Sequence, residues 1–213
     1  AMNPFRYENG VLHADGVSLA KLATEIGTPF YCYSESAISA QYRAYVEAFA
    51  DQDAVICYAM KANDNLAILR TFAELCAGAD VVSGGELQRA LAAGIPPSKI
   101  IFSGVGKTED ELALALSTRI MQINVESLAE METLSKAAVA KGVTAEIAIR
   151  INPNVDAKTH DKISTGRKQD KFGIDIELAA DAYRKVAELP GLDAAAVAVH
   201  IGSQLTSLDP FRA

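Results

Sequence analysis

The sequence predicts an α/β protein built on a parallel β-sheet. Short apolar runs rich in β-branched residues recur along the chain, at 54–60, 79–82, 100–103, 121–125, 145–151 and 196–200. Amphipathic segments of about ten to fifteen residues separate them, the rhythm of βα units. Helix-start signals stand between run and segment. Runs of this kind read as strands buried on both faces, the habit of parallel sheets covered by helices. Six such units fit either a doubly wound sheet or part of a (β/α)8 barrel, which needs eight.

The helices are marked at both ends. Ser83 to Glu86, Thr108 to Glu111 and Ser127 to Glu130 each have the capping-box spacing. In that motif a hydroxyl takes the N–H three residues on and the Glu reaches back. After Ser127, the residues Leu128, Met131, Leu134 and Ala138 share one helical face. Gly94 and Gly142 stand where helices end. Two stretches depart from the rhythm. Residues 5–33 precede it, with a strand-like run at 29–33, and residues 152–172 form a long polar loop before the last run.

Composition narrows the function classes. Of 213 residues, 50% are hydrophobic and 22% charged, which argues for a folded core and against disorder. The net charge of −7, without any Lys/Arg-rich block, gives no electrostatic support to nucleic-acid or anionic-membrane partners. No apolar run approaches the roughly 18 residues of a membrane span. Residues 1–10 are polar and do not resemble a signal peptide. Cys32, Cys57 and Cys76 fit neither a disulfide framework nor a zinc pattern and read as core residues of a cytoplasmic protein. No metal is expected.

Candidate chemistry gathers at the ends of the runs. Lys61, in Tyr58-Ala-Met-Lys61-Ala-Asn63, leaves a buried strand directly; desolvation there would make its amine a nucleophile toward carbonyls. Asp80 sits inside a strand and calls for a cationic partner. Glu86 fits the capping role first, and a polar role at the site is compatible with it. Ser103-Gly-Val-Gly-Lys-Thr108 resembles the end of a phosphate-binding loop but has Ile101 where that motif needs glycine, so a strand-to-helix turn capped by Thr108 is expected. Arg150 suits a phosphate contact or a structural ion pair. His200 ends the last run, and Gly202 and Ser203 offer hydrogen bonds to an anion. In a barrel, Lys61, Asp80, Arg150 and His200 would all meet on the carboxyl face.

Together these motifs resemble the fold-type III pyridoxal-phosphate-dependent decarboxylases. The resemblance also rests on Ile123-Asn-Val-Glu-Ser127, Arg150-Ile-Asn-Pro153, Ile163-Ser-Thr-Gly166, Lys171-Phe-Gly173 and His200-Ile-Gly-Ser-Gln204. It implies a (β/α)8 barrel with pyridoxal 5'-phosphate at its carboxyl face, represented here by about six βα units over 34–213. Residues 1–33 would contribute a strand at 5–12 to a second, β domain. By the same resemblance, Lys61 matches the lysine that links covalently to the cofactor, and Ala59 and Asp80 line it. Glu86 and Arg150 match polar groups around it. His200 matches the histidine stacked on its ring, Ser203 a phosphate-contacting serine with Gly202 beside it, and 159–172 a mobile active-site loop.

The motifs at 163–166 and 200–204 lean toward the branch that decarboxylates diaminopimelate to lysine. Branches acting on ornithine, arginine or carboxynorspermidine, and non-catalytic barrels that only bind the cofactor, are the alternatives. The resemblance further implies a small amino-acid substrate and a homodimer. The family pattern continues past residue 213, so this chain alone is expected to have little or no activity.

Overall fold

The computed structural model describes residues 3–155 and 172–212. It begins with a three-stranded antiparallel sheet: β1 (Phe5–Glu8), β2 (Val11–Ala14) and β3 (Val17–Ser18). The single strand expected over 5–12 is thus a hairpin. Asn9-Gly10 turns the chain with φ of 50° and 79°, and Asp15-Gly16 does so again with 49° and 82°. Paired left-handed residues match the twist of the flanking strands, which is why such dipeptides make tight hairpins.

Helices α1 (Leu19–Ile26) and α2 (Glu35–Ala48) follow. The run at 29–33, expected as a strand, has no ladder partner among the described residues, and Tyr31 is 90% exposed. The Ser34 hydroxyl donates to Asp15 Oδ2 at 2.9 Å and its oxygen caps α2 by accepting Ala37 N–H. One side chain therefore ties the small sheet to the first helix of the larger unit.

That unit alternates strand and helix. It comprises β4 (Cys57–Ala59), α3 (Leu66–Glu74), β5 (Gly78–Val81), α4 (Gly84–Ala93), β6 (Ile100–Phe102) and α5 (Glu109–Thr118). It continues with β7 (Gln122–Val125), α6 (Leu128–Lys141), β8 (Ala145–Asn152), β9 (Ile174–Asp175), α7 (Ala179–Glu188), β10 (Leu192–Ala198) and α8 (Asp209–Arg212). All the pairings are parallel, in the order β10-β8-β7-β6-β5-β4, with the short β9 beside β8. Strand order follows chain order without a reversal. A doubly wound sheet reverses once, at the switch point where its ligand binds. Right-handed crossovers without a reversal place every helix on one side, the arrangement of a barrel wall.

The expectation that both sheet faces are apolar is corrected. Side chains alternate across a strand, and here the helix-facing set is uniformly apolar while the opposite set is mixed. Ala79, Val81, Ile100, Phe102, Ile123, Val125, Ile147 and Ile149 are buried against Leu87, Leu112, Met131 and Leu134. Burying a side chain such as Phe102 stabilises the fold by about 1.5–3 kcal/mol. The opposite set includes Asp80, Gln122, Asn124 and Arg150, all only partly buried.

Caps follow the sequence signals with one refinement. Thr108 and Glu111 form a full capping box. Ser83 and Ser127 cap α4 and α6, but the Glu86 and Glu130 carboxylates accept from Val82 N–H and Glu126 N–H, one residue before the cap. Gly94 and Gly142 end their helices in left-handed conformation. Leu128 is 48% exposed, against expectation, because it is the first residue of α6 and projects beyond the core. The last strand starts at Leu192, and His200 lies past its end. Half-buried and exposed residues alternate along β10, and the apolar run at 196–200 marked only its second half. No helix among the described residues is long and apolar enough to cross a membrane.

Candidate active site

The carboxyl ends of the parallel strands surround a cavity of about 240 Å³. Lys61, Asp80, Ser103, Asn124, Arg150 and His200 line it, with Phe172 and Val199. Each strand delivers its residue by register: Ala59 pairs with Asp80, Asn124 with Ala148, and Arg150 with Ala198. A second hollow of about 410 Å³ shares Val199 and His200 as a wall and includes Gly202.

Lys61 lies in a short 3-10 turn, Met60–Ala62, just past β4. The Tyr58 ring stacks on Phe72 at 4.0 Å and its hydroxyl donates to Asn63 O at 3.2 Å, which fixes this turn. The residue is exposed, so the expected desolvation is not met: β4 forms the rim of the sheet and no strand covers it among the described residues.

The expected cationic partner of Asp80 is instead a hydroxyl. Ser103 donates to Asp80 Oδ1 at 2.6 Å, Asn124 Nδ2 donates to Ser103 Oγ at 2.9 Å, and Gln122 Nε2 donates to Asn124 Oδ1 at 2.7 Å. This chain of donors crosses three strands and points toward the carboxylate. Burial pushes the Asp80 carboxyl above its usual range, opposed by the Ser103 hydrogen bond and by the charges of Lys61, Arg150 and Lys107.

Arg150 makes the structural ion pair. Its Nη1 donates to Glu126 Oε1 at 2.9 Å, and its guanidinium lies 5.3 Å from the centre of the Phe172 ring. Glu126 also accepts Gly104 N–H at 3.0 Å. The loop carrying Gly104 is pinned by Lys107, whose side chain is 1% exposed. The Lys107 ammonium donates to Gly104 O and Asn124 O, each at 2.6 Å, and to Glu130 Oε1 at 2.7 Å. Lys107 is therefore fully engaged inside the protein, in keeping with a strand-to-helix turn rather than a phosphate loop, and Thr108 caps α5 as expected.

His200 is half-buried. Burial first, then the nearby Arg150 and Lys61 charges, hold its imidazole below the ordinary histidine value, so the ring is neutral at pH 7. Ala59 ends β4 and faces an apolar hollow beside α2 rather than the cavity. Glu86 acts as a capping residue behind Val82. Ser203 is exposed next to Gly202. Of the 159–172 loop, only Phe172 falls within the described residues. Ser103, Asn124 and Glu126 were not singled out as site residues by the sequence; their partners lie one βα unit away in the chain.

The donor set fits pyridoxal phosphate. Lys61 offers an amine for the aldehyde. Lys61 and the cavity side of the Arg150 guanidinium offer cationic donors to a phosphate in a chain of net charge −7. His200 and Phe172 offer flat faces to a ring.

A family model described as pyridoxal-dependent decarboxylase, pyridoxal binding domain, matches residues 35–213. The chain belongs to this family. It is 50% identical over 210 residues to diaminopimelate decarboxylase of Pseudomonas aeruginosa, and 51% identical over 211 residues to that of Vibrio cholerae. Each alignment covers 99% of this chain and 51% of the relative. The crystal structure of diaminopimelate decarboxylase from M. jannaschii in complex with L-lysine superposes with a TM-score of 0.91 at 42% identity. That match covers 98% of this chain and 50% of the other. The chain thus spans about half the length of the curated relatives it matches.

Proposed function

We propose that this chain forms the cofactor-holding part of a pyridoxal-phosphate-dependent decarboxylase that converts meso-2,6-diaminopimelate to L-lysine and CO2. The observation that carries this reading is the convergence of Lys61, Asp80, Arg150 and His200, from four strand ends, on one cavity. The names of the relatives at about half identity support the choice of substrate.

In this reading Lys61 Nζ attaches the cofactor, and its exposed position leaves the amine open to exchange with a substrate amine. The bound cofactor supplies an electron sink for the pair left behind when a carboxylate departs as CO2. His200, neutral, packs on the ring without adding a third positive charge. The cavity side of Arg150 and the Gly202–Ser203 corner offer hydrogen-bond donors to the phosphate. Asp80, ordered by the Ser103 and Asn124 chain, faces Lys61 and offsets the ammonium whenever Nζ carries its proton. Ala59 and Glu86 act from behind, as the strand end beneath Lys61 and the cap beneath Val82. The reading extends to a cytoplasmic homodimer in which residues 1–33 belong to a second domain, with no nucleic-acid or membrane partner.

The test uses the whole protein containing this sequence. Pyridoxal phosphate should give a yellow absorbance band that borohydride removes, and Lys61→Ala should abolish the band. The same substitution should lower lysine production from meso-diaminopimelate on the order of 10³-fold or more. Retention of the band by Lys61→Ala would refute the assignment of this amine. Faster turnover of ornithine, arginine or carboxynorspermidine would move the protein to another branch.

A further inference from the structure

Glu126 is the most deeply buried acid beside the cavity, with a side chain only 2% exposed, yet it does not line the cavity itself. Its Oε1 takes two donors, Gly104 N–H and Arg150 Nη1, while its Oε2 is buried without a hydrogen-bond partner. An arginine and a carboxylate left to themselves close as a two-pronged fork. Here the fork is held open. Lys107 pins the Gly104 loop to β7 and α6, so the Gly104 N–H stays on the oxygen that Arg150 uses. The Phe172 ring also lies against the guanidinium, with its centre 5.3 Å away. The carboxylate therefore neutralises Arg150 through one prong and leaves the rest of the guanidinium on the cavity wall.

We propose that Glu126 is a positioning residue: acting through Arg150, it sets the net charge that the cavity presents to bound pyridoxal phosphate. The inference rests on the cofactor reading given above. The charged or titratable groups facing Arg150 across the cavity are Lys61, Asp80 and His200. Behind it stands Glu126, and beyond that the Lys107–Glu130 pair, which is internally balanced. Removing the negative charge of Glu126 leaves Arg150 uncompensated across the cavity from Lys61 Nζ, where a proton would be held with the cofactor attached. An added positive charge disfavours that proton.

A spectrophotometric pH titration of the holoenzyme's cofactor band tests this without reference to turnover. Glu126→Gln keeps the shape and should lower the titration midpoint by about one pH unit. Arg150→Gln should raise it by a similar amount. The double variant, again balanced, should return to the wild-type midpoint. A double variant displaced as far as Glu126→Gln, or a Glu126→Gln midpoint that does not move, overturns the proposal. Should Glu126→Gln fail to fold, Arg150→Gln and the double variant still decide, because the second must reverse the first. Absence of any cofactor band in the wild-type protein would overturn the pyridoxal reading itself, a failure distinct from that of Glu126.

Discussion

The two faces of the parallel sheet share the same strands and are built by opposite rules. Toward the helices, Val81, Phe102, Val125 and Ile149 are fully buried and held by packing alone. Toward the cavity, Asp80, Ser103, Asn124 and Gln122 are partly buried and held by a directed chain of hydrogen bonds. The first face is insensitive to the exact identity of its partners as long as volume is kept. The second depends on each donor finding one acceptor, and it carries a desolvated carboxylate that works against the fold. Close packing is concentrated on one side of the sheet, and the hydrogen-bonded polar groups on the other.

Substitutions should separate the two rules. The largest loss is expected on the packed face: Phe102→Ala should lower unfolding free energy by about 3–5 kcal/mol in urea titrations. On the cavity face, Ser103→Ala strips the donor from Asp80 and the acceptor from Asn124, with an expected loss of about 1–3 kcal/mol in the same titrations. Asp80→Asn should act in the opposite sense. Because burial raises the Asp80 carboxyl, the folded state holds its proton longer than the unfolded chain, so this group's contribution falls as pH rises through the raised value. Removing the charge should therefore raise the urea midpoint at pH 7 and flatten its dependence on pH above the ordinary carboxylate range. Cofactor attachment at Lys61 should weaken in the same variant. The smallest effect belongs to Gln122→Leu, at the far end of the donor chain, where a change within about 0.5 kcal/mol is expected. A larger stabilisation there would mean that the cavity face obeys the packing rule after all.

His200 adds a pH dependence of the other sign. Its imidazole is held below the ordinary histidine value in the fold, so the unfolded chain takes up the proton first as pH falls. Its contribution is present above the ordinary value and is lost as pH falls through the depressed one. Chemical unfolding measured from pH 7.5 down to 5 should show decreasing stability, and His200→Gln should remove part of that slope.

The βα rhythm was legible because hydrophobicity marks the packed face directly. The hydroxyl and glycine caps were legible because their partners lie three residues away. The cavity face was only half legible. Lys61, Asp80, Arg150 and His200 announce themselves as charges or an imidazole at strand ends. Glu126 and Lys107 do not, because their meaning lies in partners across the repeat: Glu126 reaches Arg150 at a separation of 24 residues, and Lys107 reaches Glu130 at 23. Ser103 to Asp80 and Asn124 to Ser103 span 23 and 21. All four intervals are one βα period, so comparing each polar residue with its equivalent one period away was the unused signal. The hairpin of residues 5–14 was missed for a different reason. Asn9-Gly10 and Asp15-Gly16 specify turns by backbone conformation, which an apolar search does not register.

Strands laid down in chain order have a consequence for how the molecule comes to exist. When a segment's partner is the unit just made, closing the contact spans a short stretch of chain, and the entropy lost in doing so is small. Each new strand and helix can dock on its predecessor as synthesis proceeds, extending the sheet from its growing edge. The site is then assembled progressively, with Asp80 in place before Ser103, Ser103 before Asn124, and the arginine and imidazole last.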